Sequence, residues 1–504
     1  MYKFDQTNGF RLRHLQISGH PVLKSMDVTL CDDNSTPPIV YTTGIIGANG
    51  TGKSHLMGAI ASVFSEIQKA QASESSGTKR FSFTITYDFL GDEYTVSNIH
   101  KNGFGVVDKE WSRRYYFATR NGNSIKLEQV RLPERVIAST MTVTDKFLAK
   151  TDSFYRYKGI RNERSASTTG TRTIIRKTVE SLMDCMSEKN TFKEELKLLL
   201  NNLGLEEHLR VSYGMRYKSL FLKPQMNEGQ LRDLFDNWQD TFKDRKSIPW
   251  GYRNYLTLRD NENAMREAAR FLAECARQYD NRRSVIVEYD LMEAPERFQH
   301  DSEALKVLTQ LDLVSFPSIN VVKKGSSYAL EDSSSGETHL LCQFIGIMAD
   351  LRHNSLVLID EPENSSHPDW QMNYVGWLRE IFKEYNDCHF IIATHSPLIL
   401  ANMKPAESTI VRLKRNEKNR ILDEGGMKDG CYSWTVDEIL QEVMEMKTTS
   451  TEDFERAIND FQKAVRDNNR EEADSSFDEL RLLINPRNEL LELLKIQKAA
   501  IGDD

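Results

Sequence analysis

The octapeptide Gly47-Ala48-Asn49-Gly50-Thr51-Gly52-Lys53-Ser54 restricts this chain more than any other feature. It follows an apolar, strand-like run, Ile39-Val40-Tyr41 through Gly44-Ile45-Ile46. A helix-like run, Leu56-Met57-Gly58-Ala59-Ile60-Ala61, comes after it. This strand–loop–helix setting is what a phosphate-cradling loop requires. Gly47, Gly50 and Gly52 let the backbone around Asn49 curl, so that successive N–H groups point at phosphate oxygens. The helix start adds its positive dipole end. Lys53 reaches β- and γ-phosphates in such a loop, and the Ser54 hydroxyl ligates Mg²⁺. A chance glycine-rich turn is the competing reading, and the complete pattern in this setting disfavours it.

A second set of motifs lies far downstream. Ser355-Leu356-Val357-Leu358-Ile359-Asp360-Glu361-Pro362-Glu363 reads as a buried strand ending in acids. In an open α/β sheet such a strand delivers carboxylates to the ligand-binding edge. Asp360 is placed to hold Mg²⁺ and Glu361 to polarise an attacking water. Phe390-Ile391-Ile392-Ala393-Thr394-His395-Ser396-Pro397 is a further apolar strand ending in Thr-His. His395 there can hydrogen-bond a γ-phosphate; the bland alternative is a strand-end histidine with a satisfied neighbour. Asp332-Ser333-Ser334-Ser335-Gly336-Glu337 precedes a helix-like stretch from Thr338 to Leu351. Small residues at a helix start suit an anion, and an ordinary serine N-cap with Glu337 in the first turn is the alternative.

The order phosphate loop, Ser-Ser-Gly-Glu, Asp-Glu strand, Thr-His strand resembles the ABC-type ATPase head of the SMC/RecF class. The resemblance equates Ser334-Ser335-Gly336-Glu337 with that class's signature, Asp360-Glu361 with its Walker B pair and His395 with its switch histidine. Ser333 stands where leucine is common. The resemblance implies ATP and Mg²⁺ as ligands. It also implies a self-associating chain: an ATP-sandwiched dimer, or a higher homo-oligomer, in which one subunit's signature closes over the other's nucleotide. Glu361-Pro362-Glu363-Asn364-Ser365-Ser366-His367-Pro368 resembles the acidic loop of overcoming-lysogenisation-defect and related bacterial defence ATPases. Three other segments are similar to the PtuA-like ATPase of Septu and retron-associated systems. They are Val136–Thr140 with Asp145-Lys146-Phe147, Tyr155–Arg161, and Trp434–Leu440. That resemblance implies a separate nuclease subunit of the HNH type.

The fold class expected is α/β: an ABC-type P-loop head of mixed sheet, flanking helices and β lobe, with an inserted compact helical lobe and a C-terminal helical hairpin. Residues 1–177 and 311–430 form the head, 178–310 the insert and 431–504 the helical end. Phe81, Phe83, Ile85, Tyr87 and Phe89 alternate with polar residues, Gly91-Asp92 follows, and Tyr94 to Ile99 resumes, which predicts a hairpin. The insert lacks the long heptad run of SMC arms. From Tyr155 to Lys177 seven cations (Arg156, Lys158, Arg161, Arg164, Arg172, Arg176, Lys177) face only Glu163. This run can grip nucleic acid through phosphates and stacking, line the nucleotide pocket, or be a solvated loop. Phe454, Ala457, Ile458, Phe461, Ala464 and Val465 keep helical spacing, to pack on their own domain or to dock a partner.

With 504 residues and a net charge of −8, the chain is suited to several domains and not to wrapping by nucleic acid. Six cysteines without a CxxC pair predict reduced thiols and a cytoplasmic protein, and no apolar run is long enough to span a membrane. Neither the acidic pattern of a TOPRIM nuclease nor a His-Asn-His pattern is found. The expectation is an ATPase that senses or regulates in an anti-phage complex and controls a nuclease on another chain. The competing readings are a RecF-like repair ATPase acting on DNA directly, and an ATP-stabilised scaffold with little turnover.

Overall fold

The computed structural model describes residues 9–31, 40–72, 81–98, 116–161, 170–186, 191–217, 221–242, 250–279, 285–415, 421–423, 431–432, 434–444, 450–485 and 488–501. Two compact units result, Met1–Ser433 and Trp434–Asp504. The first opens with β1 (Arg11–His20), β2 (Lys24–Thr29), β3 (Tyr41–Ile46) and α1 (Lys53–Gln71). Next come β4 (Ser82–Phe89), β5 (Asp92–Ser97), β6 (Phe117–Arg120), β7 (Asn123–Ile125), β8 (Val136–Thr140) and β9 (Tyr155–Lys158). The insert follows as α2 (Thr171–Met186), α3 (Phe192–Asn202), β10 (Leu209–Gly214), α4 (Glu228–Phe242), α5 (Trp250–Leu258), α6 (Glu262–Gln278), β11 (Ile286–Asp290), α7 (Pro295–Gln310), β12 (Ser318–Lys323) and β13 (Ser326–Ala329). The chain then returns with α8 (Ser335–Asp350), β14 (Leu356–Asp360), α9 (Pro368–Ile381), β15 (His389–Ala393), α10 (Pro397–Ala401), β16 (Ser408–Arg415) and β17 (Ile421–Asp423).

The main sheet has the order β17-β16-β3-β15-β14-β8-β9. Every neighbouring pair is parallel except β16–β17. Strands β3, β8, β14 and β15 are buried along their whole length, as a parallel sheet covered on both faces demands. Register does the rest: Asp360 pairs with Ala393 and with Thr140, and Ala393 pairs with Ile45. One rung of the sheet therefore brings the ends of four strands, distant in sequence, to a single carboxyl edge.

Strands β2-β1-β4-β5-β6-β7 form a separate antiparallel sheet. The β4–β5 hairpin turns at Leu90-Gly91, with φ of 51° and 85°. Both values lie in the left-handed region that a two-residue type I′ turn needs. Asn121-Gly122 makes the same turn between β6 and β7. The inner face of this sheet (Leu15, Ile17, Phe83, Ile85) shares a core with Leu56, Ile60 and Phe64 of α1 and with Leu358 and Ile391 of the main sheet. The β lobe thus buttresses the helix that follows the phosphate loop.

The insert departs from an all-helical reading. Strands β10, β11, β12 and β13 build a four-stranded antiparallel sheet in the order β11-β10-β12-β13. Residues 318–329, assigned to the head on sequence grounds, complete this lobe sheet instead, because Asn320 and Val321 pair with Arg210 and Leu209. Helix α2 begins at Thr171 and crosses the expected boundary at 177/178. Strands β10 and β11 alternate buried with more exposed side chains, β12 nearly so and β13 not at all, and each runs only four to six residues, a short signal among long helices.

In the second unit, α11 (Glu452–Arg466), α12 (Arg470–Leu483) and α13 (Glu489–Ala499) pack on one another. Ala457, Phe461 and Ala464 meet Ala473, Phe477 and Leu480, with Leu491 and Leu494 closing the cluster. The amphipathic stripes pair within their own unit, as three helices and not as a hairpin. Among the described residues no helix is long and apolar enough to cross a membrane.

Candidate active site

The phosphate loop leaves β3 at Ile46 and enters α1 at Lys53. Gly50 and Gly52 sit at φ 81° and 95°, a conformation that side-chain-bearing residues adopt at a cost. At Gly47 the constraint is space, since a Cβ there would lie 2.3 Å from the Leu413 carbonyl oxygen. Lys53 Nζ donates to the Gly47 carbonyl at 2.7 Å and lies 3.2 Å from His395 Nδ1. The loop is therefore preformed around its own lysine. Burial pushes the Lys53 ammonium down to about 8, against the pull of Glu361, Glu363 and Asp360. A polyanion seated in the loop would restore its charge.

Ser54 Oγ donates to Asp360 Oδ1 at 3.2 Å. A hydroxyl and a carboxylate at that spacing fit two of the oxygen ligands that Mg²⁺ takes beside nucleotide phosphates and water. Asp360 is 1% exposed, and burial pushes its carboxyl up to about 7, despite the Ser54 hydrogen bond. Glu361, Asp145 and Glu363 push in the same direction. The unfolded chain ionises Asp360 near 3.8, so the folded, metal-free protein loses stability as pH rises from about 4 to about 7. Asp360→Asn removes that charge. The metal-free variant is expected to be more stable than wild type at pH 8, by at most about 4 kcal/mol and so with a higher melting temperature, and to converge with it near pH 4. The same variant should lose its melting response to Mg²⁺–ATP. Identical melting curves at pH 8 would contradict the buried, uncompensated carboxylate.

Glu361 follows Asp360 with φ 51°, a strained position for a glutamate. Its N–H donates to the Ala393 carbonyl at 2.8 Å, and Asn364 Nδ2 donates to its Oε2 at 3.2 Å. His395 Nε2 lies 3.8 Å from Glu361 Oε1. Burial lowers the His395 pKa, and neighbouring Lys53 lowers it further, against Glu361. Nδ1 faces the lysine and Nε2 faces Glu361. The strand-end histidine is thus part of the constellation. Two Pro-led helices hold this corner: His367 caps α9 ahead of Pro368, and Ser396 caps α10 ahead of Pro397.

The Ser-Ser-Gly-Glu motif occupies its own corner. Ser334 is the N-cap of α8, and its side chain accepts from the Glu337 amide at 3.2 Å. Glu337 is buried and receives Lys323 Nζ at 2.9 Å and the Tyr328 hydroxyl at 3.1 Å. That is a structural anchor on the lobe sheet. Gly336 lets the helix touch the loop after Asp360, where a Cβ would sit 2.2 Å from the Ser365 carbonyl oxygen. Ser334 and Ser335 are exposed. No recorded hydrogen bond joins this motif to the phosphate loop among the described residues. Within one subunit, then, the structure joins Lys53, Ser54, Asp360, Glu361 and His395, and leaves Ser334 and Ser335 facing outward.

Two carboxylates to which the sequence reading gave no role belong to the site. Glu363 is partly buried. Its Oε1 accepts the His395 amide at 2.5 Å, which pins the histidine loop to the acidic loop, while its Oε2 atom is buried and makes no aligned hydrogen bond among the described residues. Asp145 is buried and accepts from the Tyr157 hydroxyl and from Arg161 Nε, each at 2.9 Å. The basic run from Tyr155 is correspondingly less free than its composition implies. Arg161 pairs with Asp145, and Lys158 and Arg156 lie 2.6 and 3.3 Å from Asp350. Glu163 and Arg164 lie outside the described residues.

A family described as "AAA domain, putative AbiEii toxin, Type IV TA system" matches residues 230–401, which hold the signature, the acidic strand and His395. The Septu protein PtuA of Bacillus thuringiensis is 29% identical over 150 residues, 30% of this chain and 37% of that protein. The probable ATPase of retron Vc95 from Vibrio cholerae is 26% identical over 192 residues, 35% of this chain and 36% of that protein. Each match spans little more than a third of the relative's own length. Among solved structures, the SMC head domain from Thermotoga maritima aligns with 82% of this chain and 99% of its own, at 14% identity and a TM-score of 0.36. The Smc head from Pyrococcus furiosus bound to the C-terminal domain of ScpA aligns with 81% and 94%, at 12% and 0.32. Together, the family and sequence matches support an ATPase resembling PtuA and the retron ATPase.

Proposed function

We propose that this SMC/RecF-like ATPase binds Mg²⁺–ATP between two copies of itself and uses the closed and open states to control a nuclease carried on a separate chain in anti-phage defence. The observation that carries this reading is the division of the site. One subunit supplies Lys53, Ser54, Asp360, Glu361 and His395 around the loop, while its own Ser334 and Ser335 are exposed and make no hydrogen bond to that loop among the described residues. A second copy can bring those hydroxyls and the N-terminus of its α8 to the γ-phosphate. ATP shifts the equilibrium only in so far as it binds the closed pair more tightly than the open subunits.

Ser335→Arg tests the division directly. The residue is exposed at the helix start, so the monomer's stability should change by no more than about 0.5 kcal/mol. A bulky cation there should block closure. The expected result in solution is a nucleotide-dependent rise in mass for wild type and a constant monomer mass for the variant, with each chain still binding ATP. Equal association of both would remove the composite site. Partner control is tested by co-purifying the chain with a nuclease encoded beside it and asking whether cleavage changes with Lys53→Ala.

The RecF-like alternative requires ATP-stimulated DNA binding by this chain alone, with steep salt dependence. Arg161, paired with Asp145, is not free for such contacts.

A further inference from the structure

Beside β9, α2 and the middle of α8 lies a cavity of about 300 Å³, at the small end of the range for small-molecule sites. It is separate from the phosphate loop, none of whose residues lines it. Its inner wall is cationic. Lys177 Nζ donates to the Gly159 and Arg161 carbonyls at 2.7 and 2.6 Å and lies 5.4 Å from the centre of the Tyr157 ring. Carbonyl oxygens satisfy two of its three N–H bonds, and among the described residues no carboxylate forms an ion pair with it. Burial together with nearby Arg176 and Lys158 lowers its pKa to about 8, despite Glu180 and Asp145.

The neighbouring cations crowd one acid. Asp350 is shared by Arg135 at 2.9 Å, Lys158 at 2.6 Å and Arg156 at 3.3 Å. The buried Nε of Arg156 makes no aligned hydrogen bond. Ser181 Oγ accepts from Lys158 at 2.8 Å, which leaves its own O–H to donate into the cavity. Two acids also line the wall: Glu180, whose pKa burial raises, lies 3.9 Å from Arg176, and Asp184 is paired with Lys306 at 2.9 Å. Such a pocket offers an ammonium, a guanidinium edge and a hydroxyl to one compact dianion, the donor set that phosphate groups take.

We propose that this cavity binds a phosphomonoester, presented either by a free mononucleotide or by the 5′ end of a nucleic-acid strand. The inference stands on the cavity and its charges and is independent of the ATPase reading.

The test uses the full chain carrying Lys53→Ala, so that the phosphate loop does not report. Calorimetry follows cytidine 5′-monophosphate against cytidine, and a 5′-phosphorylated oligodeoxynucleotide against its 5′-hydroxyl form. Binding that requires the phosphate is expected in at least one pair. The mononucleotide arm identifies a free ligand, and binding confined to the oligonucleotide arm identifies a strand end. Adding Lys177→Met should weaken that binding about ten- to a hundredfold, as loss of a charged hydrogen-bond donor does. Arg156→Gln, on a partly exposed side chain, should weaken it in the same direction and decides the matter if Lys177→Met melts early. The proposal is overturned if neither pair distinguishes phosphate from hydroxyl, or if both substitutions leave the affinity unchanged.

Discussion

Lys53→Ala is expected to abolish ATP binding, lowering affinity about 30-fold or more, while the melting temperature of the nucleotide-free protein holds or rises. The two halves of that expectation have one cause. In the nucleotide-free protein Lys53 is a buried ammonium whose pKa has fallen to about 8, so its burial is a cost. Its hydrogen bond to the Gly47 carbonyl and its place beside His395 keep it aimed along the loop. Once a triphosphate arrives, that ammonium becomes the counter-charge for the anion, with Glu361, Glu363 and Asp360 ranged against it. Losing one charged partner of such a pair costs about 2–5 kcal/mol. Equilibrium binding of a fluorescent ATP analogue gives the first number and a melting curve the second. Undiminished ATP affinity would remove Lys53 from the site. A large fall in melting temperature would make the lysine a structural element of the loop.

The site was readable in the sequence wherever its parts are local. Gly47 to Ser54 carries its own turn chemistry, and the acids and the histidine each end an uninterrupted apolar run. Such runs suit central strands of a parallel sheet, whose ends meet at one edge. The β4–β5 hairpin was equally local, in alternation plus Gly91; the second hairpin announced itself in Asn121-Gly122 and went unread. Pairings between remote segments were not readable. Nothing in Tyr155 to Arg161 indicates that Asp145 and Asp350 pair with its cations, so a nucleic-acid grip, a pocket lining and a solvated loop all stayed open. Glu363 was visible as a second acid after Glu361, but its bond to the His395 amide exists only once β14 and β15 are adjacent. The lobe sheet was missed for a related reason. Strands as short as Ile286–Asp290 and Ser326–Ala329 are stabilised by their neighbours, and local propensity inside a helix-rich stretch does not reveal them.

Glu361→Gln should separate binding from turnover. Glu361 is held at φ 51°, with Asn364 on one carboxylate oxygen and His395 Nε2 3.8 Å from the other. Glutamine keeps the size of the side chain and its contact with Asn364, but it cannot take a proton from water. General-base assistance is worth about 10²–10⁴ in rate, and turnover should fall by that factor. ATP affinity should stay equal or improve, because the substitution removes one of the negative charges nearest the loop and so reduces repulsion toward the triphosphate. The variant should therefore accumulate as the ATP-bound pair, and its mass in solution with Mg²⁺–ATP should exceed that of wild type under the same conditions. Weaker ATP binding would mean that Glu361 holds the nucleotide and does not activate water. Unchanged turnover would leave the site without a base at this position, and Glu363, whose second oxygen is buried without an aligned hydrogen bond among the described residues, would be the next carboxylate to replace.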